Sequence, residues 1–185
     1  ARWSGNIRCE AEQMRTLVEQ MLTLARADNG VRPAAMEPVN FSDVATECVL
    51  SFEPVAFEAG KPLEDRIAEE VAVTGDADRL RQLISILVDN AVKYGAEGGT
   101  ITLTLEKTDR QARLTVANPG EPIPPENLAH LFERFYRADT SRGEKTGFGL
   151  GLSIADTIAR EHKGTLKAES DAASTRFIFT MPLKK

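Results

Sequence analysis

Three polar residues share one flank of a predicted helix. Asn90, Lys93 and Tyr94 stand at positions i, i+3 and i+4 of a segment whose apolar residues follow helical spacing, so their side chains stack on one face. A carboxamide oxygen ligates hard cations such as Mg²⁺, which complete their shell with water and nucleotide phosphates. Lys93 would then neutralise phosphate charge. Taken alone, a capping amide and a solvated lysine fit these residues at least as well.

A run of alternating glycines precedes a second predicted helix. Gly147, Gly149 and Gly151 enclose Phe148 and Leu150. Glycine lets backbone N–H groups approach phosphate closely, and a helix N-terminus favours anions. The spacing matches neither the dinucleotide-binding fingerprint nor the Walker loop. A flexible hinge explains the run equally well.

A third polar group follows a predicted strand that ends at Ala117. Asn118 and Gly120 open the segment 118–123, which also contains Pro119 and Pro122. A side-chain amide at a strand end, next to a glycine, can reach the edge of a purine ring. A plain turn is the alternative, since Asn, Pro and Gly are the usual turn residues.

The elements that must position these groups alternate between helices and strands. Apolar periodicity and turn residues predict helices over 43–59, 76–94, 125–132 and 149–162, with Ser42 as the cap of the first. They predict strands over 63–67, 71–74, 101–105, 113–117, 164–169 and 175–181. The predicted fold is a two-layer α/β (α+β) sandwich. A mixed, largely antiparallel sheet of four or five strands is covered on one face by helices. The polar stretch 139–146 is predicted to be a mobile lid.

The N-terminal segment carries a separate apolar stripe. Ile7, Met14 and Met21 recur every seven positions, which predicts a long helix over 6–27 that ends at the Asp-Asn-Gly turn of 28–30. Such a helix buries its stripe against a partner helix or a second chain. An ordinary core helix of the main domain is the alternative.

Composition restricts the class of protein. The chain has 185 residues, 42% of them apolar, a net charge of -5 and a pI near 5.2. These values predict one main domain and make nucleic acid an unexpected partner. Cys9 and Cys48 fit no metal or redox motif and are interpreted as reduced, buried thiols. No apolar run approaches the roughly 20 residues that cross a bilayer, so a soluble, cytoplasmic chain is expected.

In order along the chain, these motifs resemble the conserved boxes of bacterial sensor histidine kinases. The four are Asn90-x-x-Lys93-Tyr94 (N box), Asn118-x-Gly120 (first glycine box), Phe132-Glu133-Arg134-Phe135-Tyr136-Arg137 (F box) and Gly147-x-Gly149-Leu150-Gly151-Leu152 (second glycine box). The stretch 25–28 is similar to the end of the second stem helix in that family. The resemblance implies a stem helix over 1–29, a linker over 30–38 and a catalytic ATP-binding domain over 39–185.

The resemblance also implies the Bergerat ATP-binding fold, with ATP and Mg²⁺ as its cofactors. Asn90 would ligate the metal, and Asn90, Lys93 and Arg137 would be the catalytic residues. Asn118 would face the adenine amino group, and Gly120 would give the base room. The implied nucleotide-binding residues are Asn90, Lys93, Tyr94, Asn118, Gly120, Ile123, Phe135, Arg137, Gly147, Gly149, Leu150, Gly151 and Leu152.

The implied activity is phosphoryl transfer from ATP to a histidine on a stem helix, of the same or a partner chain, for relay to a response-regulator aspartate. The parent protein would be a homodimer, membrane-anchored with this domain on its cytoplasmic side. His130 and His162 are the only histidines, and neither lies in a stem-helix pattern. Both are interpreted as surface or capping residues.

Three positions depart from the family pattern. Ile86 stands where the family often has Asn or an acidic residue, so poor intrinsic ATP hydrolysis is expected. Asn118 replaces the usual aspartate and lacks its charge, which predicts weaker ATP binding, and Pro122 replaces a glycine. Asp89 points about 100° away from Asn90 around the helix and receives no role. A nucleotide-sensing pseudokinase is therefore an alternative, while an anti-sigma-factor-type serine kinase is disfavoured by the stem-like helix and the full F box.

Overall fold

The computed structural model describes residues 35–137 and 148–184, together with Met14, Arg15, Leu17, Val18, Met21 and Leu22. Those six N-terminal residues are helical, and Leu17 packs against the core of the domain while Met14 and Met21 are exposed. The turn at 28–30, the lid at 139–146, Gly147 and Cys9 lie outside the described residues. Within the described part, no helix is both long and apolar enough to cross a membrane.

Seven strands and four helices follow one another along the described domain. The strands are β1 (Glu37–Asn40), β2 (Leu63–Ile67), β3 (Ala72–Gly75), β4 (Ile101–Lys107), β5 (Gln111–Asn118), β6 (Thr165–Ser170) and β7 (Thr175–Pro182). The helices are α1 (Phe41–Glu58), α2 (Ala77–Tyr94), α3 (Pro125–Leu128) and α4 (Gly151–Glu161).

The main sheet has five strands in the order β2-β4-β5-β7-β6. β2 pairs with β4 in parallel, and the other three pairs of this sheet are antiparallel. β1 and β3 form a separate two-stranded antiparallel sheet. This arrangement confirms the predicted mixed, largely antiparallel sheet.

The core lies between one face of this sheet and the helices. Alternate residues of β4, β5 and β7 are buried, and α2 buries a stripe at helical spacing: Leu80, Leu83, Ile84, Leu87, Val88 and Ala91. Each large apolar side chain in such a core contributes about 1.5–3 kcal/mol. This stripe fixes the rotation of α2 about its axis, so Asn90 and Lys93 lie beside the core and not in it.

The start of α1 differs from the prediction. Asn40, not Ser42, caps the helix, since Asn40 Oδ1 accepts the Ser42 N–H at 3.2 Å. The Ser42 hydroxyl instead donates to Ala68 O at 2.7 Å and accepts the Val71 N–H at 3.0 Å. Ser42 therefore ties α1 to the loop between β2 and β3. The free, buried thiol predicted for Cys48 is confirmed.

Two further helices are shorter than predicted. α3 ends at Leu128, and turns occupy most of the segment that follows, up to Phe135, where φ is +63°. α4 begins at Gly151, two residues later than predicted, because Gly149 has a φ of +70° that no helical residue adopts. Strand β1 was not predicted, because its four residues show no alternation and depend on pairing with β3.

His162 joins two helices inside the domain. It is 3% exposed, its Nδ1 lies 2.8 Å from Ile158 O in the last turn of α4, and its Nε2 accepts the Asp76 N–H at 3.0 Å. The surface interpretation is therefore wrong for His162, while the capping interpretation is confirmed. His130 is exposed and pairs with Glu133 at 2.7 Å, as a surface histidine does.

Asp76 is expected to stabilise the start of α2. Its Oδ1 accepts the N–H groups of Asp78 and Arg79, both at 3.1 Å, and its Oδ2 accepts the Ala35 N–H at 3.2 Å. We expect Asp76→Ala to lower the free energy of unfolding at neutral pH by about 1–2 kcal/mol. Urea unfolding of the variant and of the wild type measures this difference.

The same contribution should depend on pH. Burial opposes ionisation of Asp76, but the N–H groups of Arg79, Ala35 and Asp78 outweigh burial and hold its pKa below the ordinary 3.8. A carboxyl with a lowered folded pKa stabilises above its unfolded pKa and loses that effect as the pH falls through the folded pKa. The stability difference between wild type and Asp76→Ala should thus shrink on acidification below 3.8. A constant difference would contradict this assignment.

Candidate functional site

A cleft of about 1030 Å³ opens between α2 and the ends of the central strands. The second half of α2 forms one wall, which we call the helix wall: Ile86, Asp89, Asn90 and Lys93. The ends of β5 and β7 and the loop after β5 form the facing surface, the sheet wall: Asn118, Ile123, Thr175 and Phe177. Residues from α3 to Arg137 and from Phe148 to Leu152 complete the cleft.

Most of the residues singled out in the sequence meet in this cleft. Those that line it are Asn90, Lys93, Tyr94, Asn118, Gly120, Ile123, Arg137, Gly149, Gly151 and Leu152. Leu150 is 1% exposed and belongs to the hydrophobic core, so its side chain does not line the cleft. Phe135 is 60% exposed and also lies outside the cleft lining.

The helix wall combines an amide with a compact ion pair. Lys93 Nζ lies 2.6 Å from Asp89 Oδ2, and both side chains are close to half exposed. Positions 86, 89, 90 and 93 of an α-helix span a stripe roughly 100° wide. The cleft covers this whole stripe, so Asp89 lines it together with Asn90, which angular separation alone did not predict.

The sheet wall carries an almost fully buried amide. Asn118 is 4% exposed, and its Nδ2 donates to Pro119 O at 3.2 Å. The Ala96 N–H donates to the same carbonyl at 2.8 Å, which joins the loop to the residues after α2. A Cβ on Gly120 would lie 3.4 Å from Tyr94 O and 3.6 Å from Asn118 Nδ2. The loop therefore approaches the end of α2 closely.

Sequence reasoning missed Thr175 and Phe177 on the sheet wall. Thr175 is 6% exposed and pairs with Asn118 across β5 and β7. Its hydroxyl lies 2.8 Å from Ser170 Oγ, which accepts the Ile123 N–H at 2.9 Å. The one signal in the sequence is the alternation of the last strand, which places Thr175 on the same face as Phe177.

The glycine run joins the F-box segment to α4. The Phe135 N–H donates to Gly149 O at 3.0 Å, and a Cβ on Gly149 would lie 2.7 Å from Tyr136 O. The Tyr136 hydroxyl donates to Asn127 Oδ1 at 2.9 Å and holds this segment against α3. α4 then begins at the cleft, where its first backbone N–H groups and its dipole favour an anion.

Comparison with known families identifies this combination of sheet, helices and cleft. The family model described as "Histidine kinase-, DNA gyrase B-, and HSP90-like ATPase" matches residues 75–185. The chain belongs to this ATPase family. The match begins at the end of β3 and includes both walls of the cleft.

Curated relatives of this ATPase domain are sensor proteins. Sensor histidine kinase CusS of Escherichia coli (strain K12) is 39% identical over 174 residues, which are 94% of this chain and 36% of CusS. Sensor protein DltS of Streptococcus agalactiae is 32% identical over 182 residues, which are 98% of this chain and 46% of DltS. The chain thus spans less than half the length of these two relatives.

Solved structures of a histidine kinase share the fold. The catalytic domain of histidine kinase ThkA superimposes with a TM-score of 0.70 at 30% identity, covering 80% of this chain and 95% of that domain. ThkA in complex with response regulator protein TrrA gives a TM-score of 0.76 at 25% identity, covering 96% of this chain and 49% of ThkA. The resemblance to sensor histidine kinases and the fold of their catalytic domains are confirmed.

The ion pair on the helix wall predicts that removing the charge of Asp89 raises the affinity of this ATPase domain for nucleotide. Asp89 neutralises Lys93 and would repel a triphosphate bound in the cleft, whereas the exposed pair itself adds only about 0.3–0.5 kcal/mol to stability. We therefore expect Asp89→Asn to tighten binding of a non-hydrolysable ATP analogue about three- to tenfold at low salt. Isothermal titration at two salt concentrations measures this effect, which salt should reduce.

Asp78→Asn is the matched control, since Asp78 pairs with Arg81 on the same helix outside the cleft lining. It should leave nucleotide affinity unchanged. Weaker binding by Asp89→Asn than by the wild type would show that the carboxylate helps the ligand and would refute the competition.

Proposed function

We propose that this chain is the ATP-binding catalytic part of a sensor histidine kinase. Its cleft binds Mg²⁺-ATP and presents the γ-phosphate to a histidine on a stem helix. One observation carries this assignment: in a member of this ATPase family, Asn90, Asn118 and the start of α4 line a single cleft.

The donor atoms on the helix wall fit a magnesium ion. Asn90 lines the cleft with an amide, whereas the carboxylate of its neighbour Asp89 is paired with Lys93 at 2.6 Å. Mg²⁺ prefers such hard oxygen donors, takes one or two from the protein and keeps its waters and substrate phosphates. We assign Asn90 as the ligand. Bound there, the ion supplies neutralisation of the triphosphate charge.

The remaining groups of the cleft position the nucleotide and keep a hydrolytic water from being oriented. Lys93 and Arg137 place positive charge beside the phosphates, and the N–H groups at the start of α4 bind phosphate oxygens. Asn118 hydrogen-bonds the edge of the base on the sheet wall, beside the apolar Ile123 and Phe177. Ile86 lies beside the first turn of α4, with its Cγ2 3.4 Å from where a Cβ on Gly151 would stand. An apolar side chain there orients no water for attack on the γ-phosphate. Hydrolysis is therefore slow, and transfer to the histidine is favoured.

The whole protein is proposed to act as a relay. Its phosphate passes from the stem histidine to an aspartate of a response regulator, a partner supported by the complex of ThkA with TrrA. We further propose a homodimeric, membrane-anchored parent with this domain in the cytoplasm. We also propose a division into a stem helix over 1–29, a linker over 30–38 and a catalytic domain over 39–185. The helical residues Met14, Arg15, Leu17, Val18, Met21 and Leu22 favour the stem helix, while β1, which begins at Glu37, places the last two linker residues in the first strand of the domain.

Radiolabelled ATP tests this function directly. The chain should bind ATP in a Mg²⁺-dependent manner, remain unlabelled by itself, and transfer label to a supplied stem fragment that carries the phosphoacceptor histidine. Label on His130 or His162 would contradict the proposal. A lack of Mg²⁺-dependent ATP binding up to millimolar concentration would favour the nucleotide-sensing alternative, which the names of the relatives do not support.

A further inference from the structure

The chemistry of the sheet wall is set by one side chain. Ile123 and Phe177 are apolar, and the Thr175 hydroxyl is engaged with Ser170 Oγ at 2.8 Å. Asn118 is 4% exposed, yet lines the cleft. Among the described sheet-wall residues, its side chain is the one with a separate donor and acceptor, the combination that matches the polar edge of a base.

A carboxamide and a carboxylate differ in the hydrogen-bonding partners that they accept. The amide has an acceptor oxygen and a donor NH₂ group, whereas an ionised carboxylate only accepts. A 6-aminopurine presents a donor at C6 and an acceptor at N1. A 6-oxopurine presents an acceptor at C6 and a donor at N1. A carboxylate repels the oxygen at C6, while an amide pairs with either base after a half-turn about its terminal bond.

The surroundings of Asn118 hold one orientation, but weakly. Its Nδ2 donates to Pro119 O at 3.2 Å, at the long end of the range for such bonds. That carbonyl also accepts the Ala96 N–H at 2.8 Å, so it keeps a partner when the amide turns, although Oδ1 then faces it and the turned state carries a repulsion between two acceptors. Nδ2 lies 3.6 Å from where a Cβ would stand on both Gly95 and Gly120. Two side-chain-free residues leave the amide room to rotate.

We propose that this cleft accepts 6-oxopurine nucleoside triphosphates as well as ATP, because Asn118 presents either a donor or an acceptor to position 6 of the base. The proposal rests on the proposed nucleotide site and specifies its substrate class. ATP remains preferred, since the orientation that pairs with it keeps the hydrogen bond to Pro119 O.

Competition binding with non-hydrolysable analogues of ATP, ITP and GTP tests this proposal on the whole chain. ITP differs from ATP chiefly at position 6, whereas GTP adds a 2-amino group. For the wild type, we expect the ITP analogue to bind within about tenfold of the ATP analogue. For Asn118→Asp, the preference for ATP over ITP should rise to about 100-fold or more.

A second variant separates the effect of an added negative charge in the cleft from the effect of its position at residue 118. Asn127→Asp adds the same charge to the cleft, where Asn127 Oδ1 accepts the Tyr136 hydroxyl and a carboxylate still can. It should weaken all three analogues alike and keep the wild-type ratio of ATP to ITP. The same change of ratio in both variants would overturn the role of Asn118.

The ratio of wild-type affinities for the ATP and ITP analogues tests the proposal even where Asn118→Asp folds poorly. Tight binding of the ATP analogue with ITP and GTP both weaker by about 100-fold or more would overturn the base proposal alone. Failure of all three analogues to bind would overturn the proposed nucleotide site itself. Binding of ITP with rejection of GTP supports the proposal and locates a steric limit at the 2-amino group.

Discussion

Asn90→Ala is expected to lower the Mg²⁺-dependent affinity of the domain for ATP by about 10- to 100-fold, the equivalent of losing one contact of roughly 1.5–3 kcal/mol to a charged group. Asn90 lines the helix wall one turn before the end of α2, beside the buried stripe and outside it. Alanine keeps the helix and introduces no cavity into the core, so the free energy of unfolding should change by less than about 0.5 kcal/mol. Transfer to a supplied stem fragment should fall at least as far.

The dependence on metal distinguishes a ligand from a mere lining residue. Titrations with and without Mg²⁺ should show a large loss in the presence of the ion and similar, weak binding in its absence. Arg81→Ala is a matched control on the same helix, since Arg81 pairs with Glu47 at 2.6 Å and does not line the cleft. If Asn90→Ala and the wild type responded equally to Mg²⁺, the assignment of Asn90 would be wrong.

The spacing of apolar residues along the chain predicted the helices and strands whose burial follows that spacing. α2 repeats its apolar residues at helical spacing, and the structure buries that stripe from Leu80 to Ala91. β4 and β5 alternate apolar with polar residues, which predicts paired strands with one buried face. The meeting of Asn90, Asn118 and Gly149 at one cleft follows from these elements together with the order of the motifs.

The features that sequence reasoning missed depend on contacts between distant residues. β1 has no alternation and exists because β3 pairs with it. His162 is buried because its ring accepts the Asp76 N–H, 86 residues earlier in the chain. Thr175 enters the site through its pairing with Asn118 across two strands. Spacing along the chain carries none of this information, since strand order decides which residues become neighbours.

The two walls of the cleft explain why the departures from the family pattern need not remove its function. Ile86 lies on the helix wall, where it removes a group that would orient water but leaves Asn90 in place. Asn118 lies on the sheet wall, where it changes the charge presented to a base and leaves the hydrogen-bonding capacity. We expect Ile86 to lower hydrolysis and Asn118 to broaden base preference, and neither residue removes the groups proposed to bind phosphate and metal.

Gly149→Ala is expected to disturb the cleft through the backbone. Gly149 has a φ of +70°, and an added Cβ would lie 2.7 Å from Tyr136 O and 2.8 Å from Phe135 C. Neither atom can rotate away, so the F-box segment and the glycine run must move apart and weaken the bond from the Phe135 N–H to Gly149 O. We expect the free energy of unfolding to fall by about 2–4 kcal/mol and affinity for an ATP analogue to fall at least about tenfold.

Gly60→Ala separates backbone strain from the steric clash. Gly60 has a φ of +66°, close to that of Gly149, but no atom lies within 4 Å of an added Cβ. It should lose only about 1 kcal/mol of stability, from the left-handed conformation alone, and bind the ATP analogue like the wild type. Equal losses of stability in the two variants, with nucleotide affinity intact in Gly149→Ala, would mean that the close approach of the two segments is not needed. A larger loss in Gly149→Ala, accompanied by weaker binding, assigns the difference to the contact that joins the F-box segment to the start of α4.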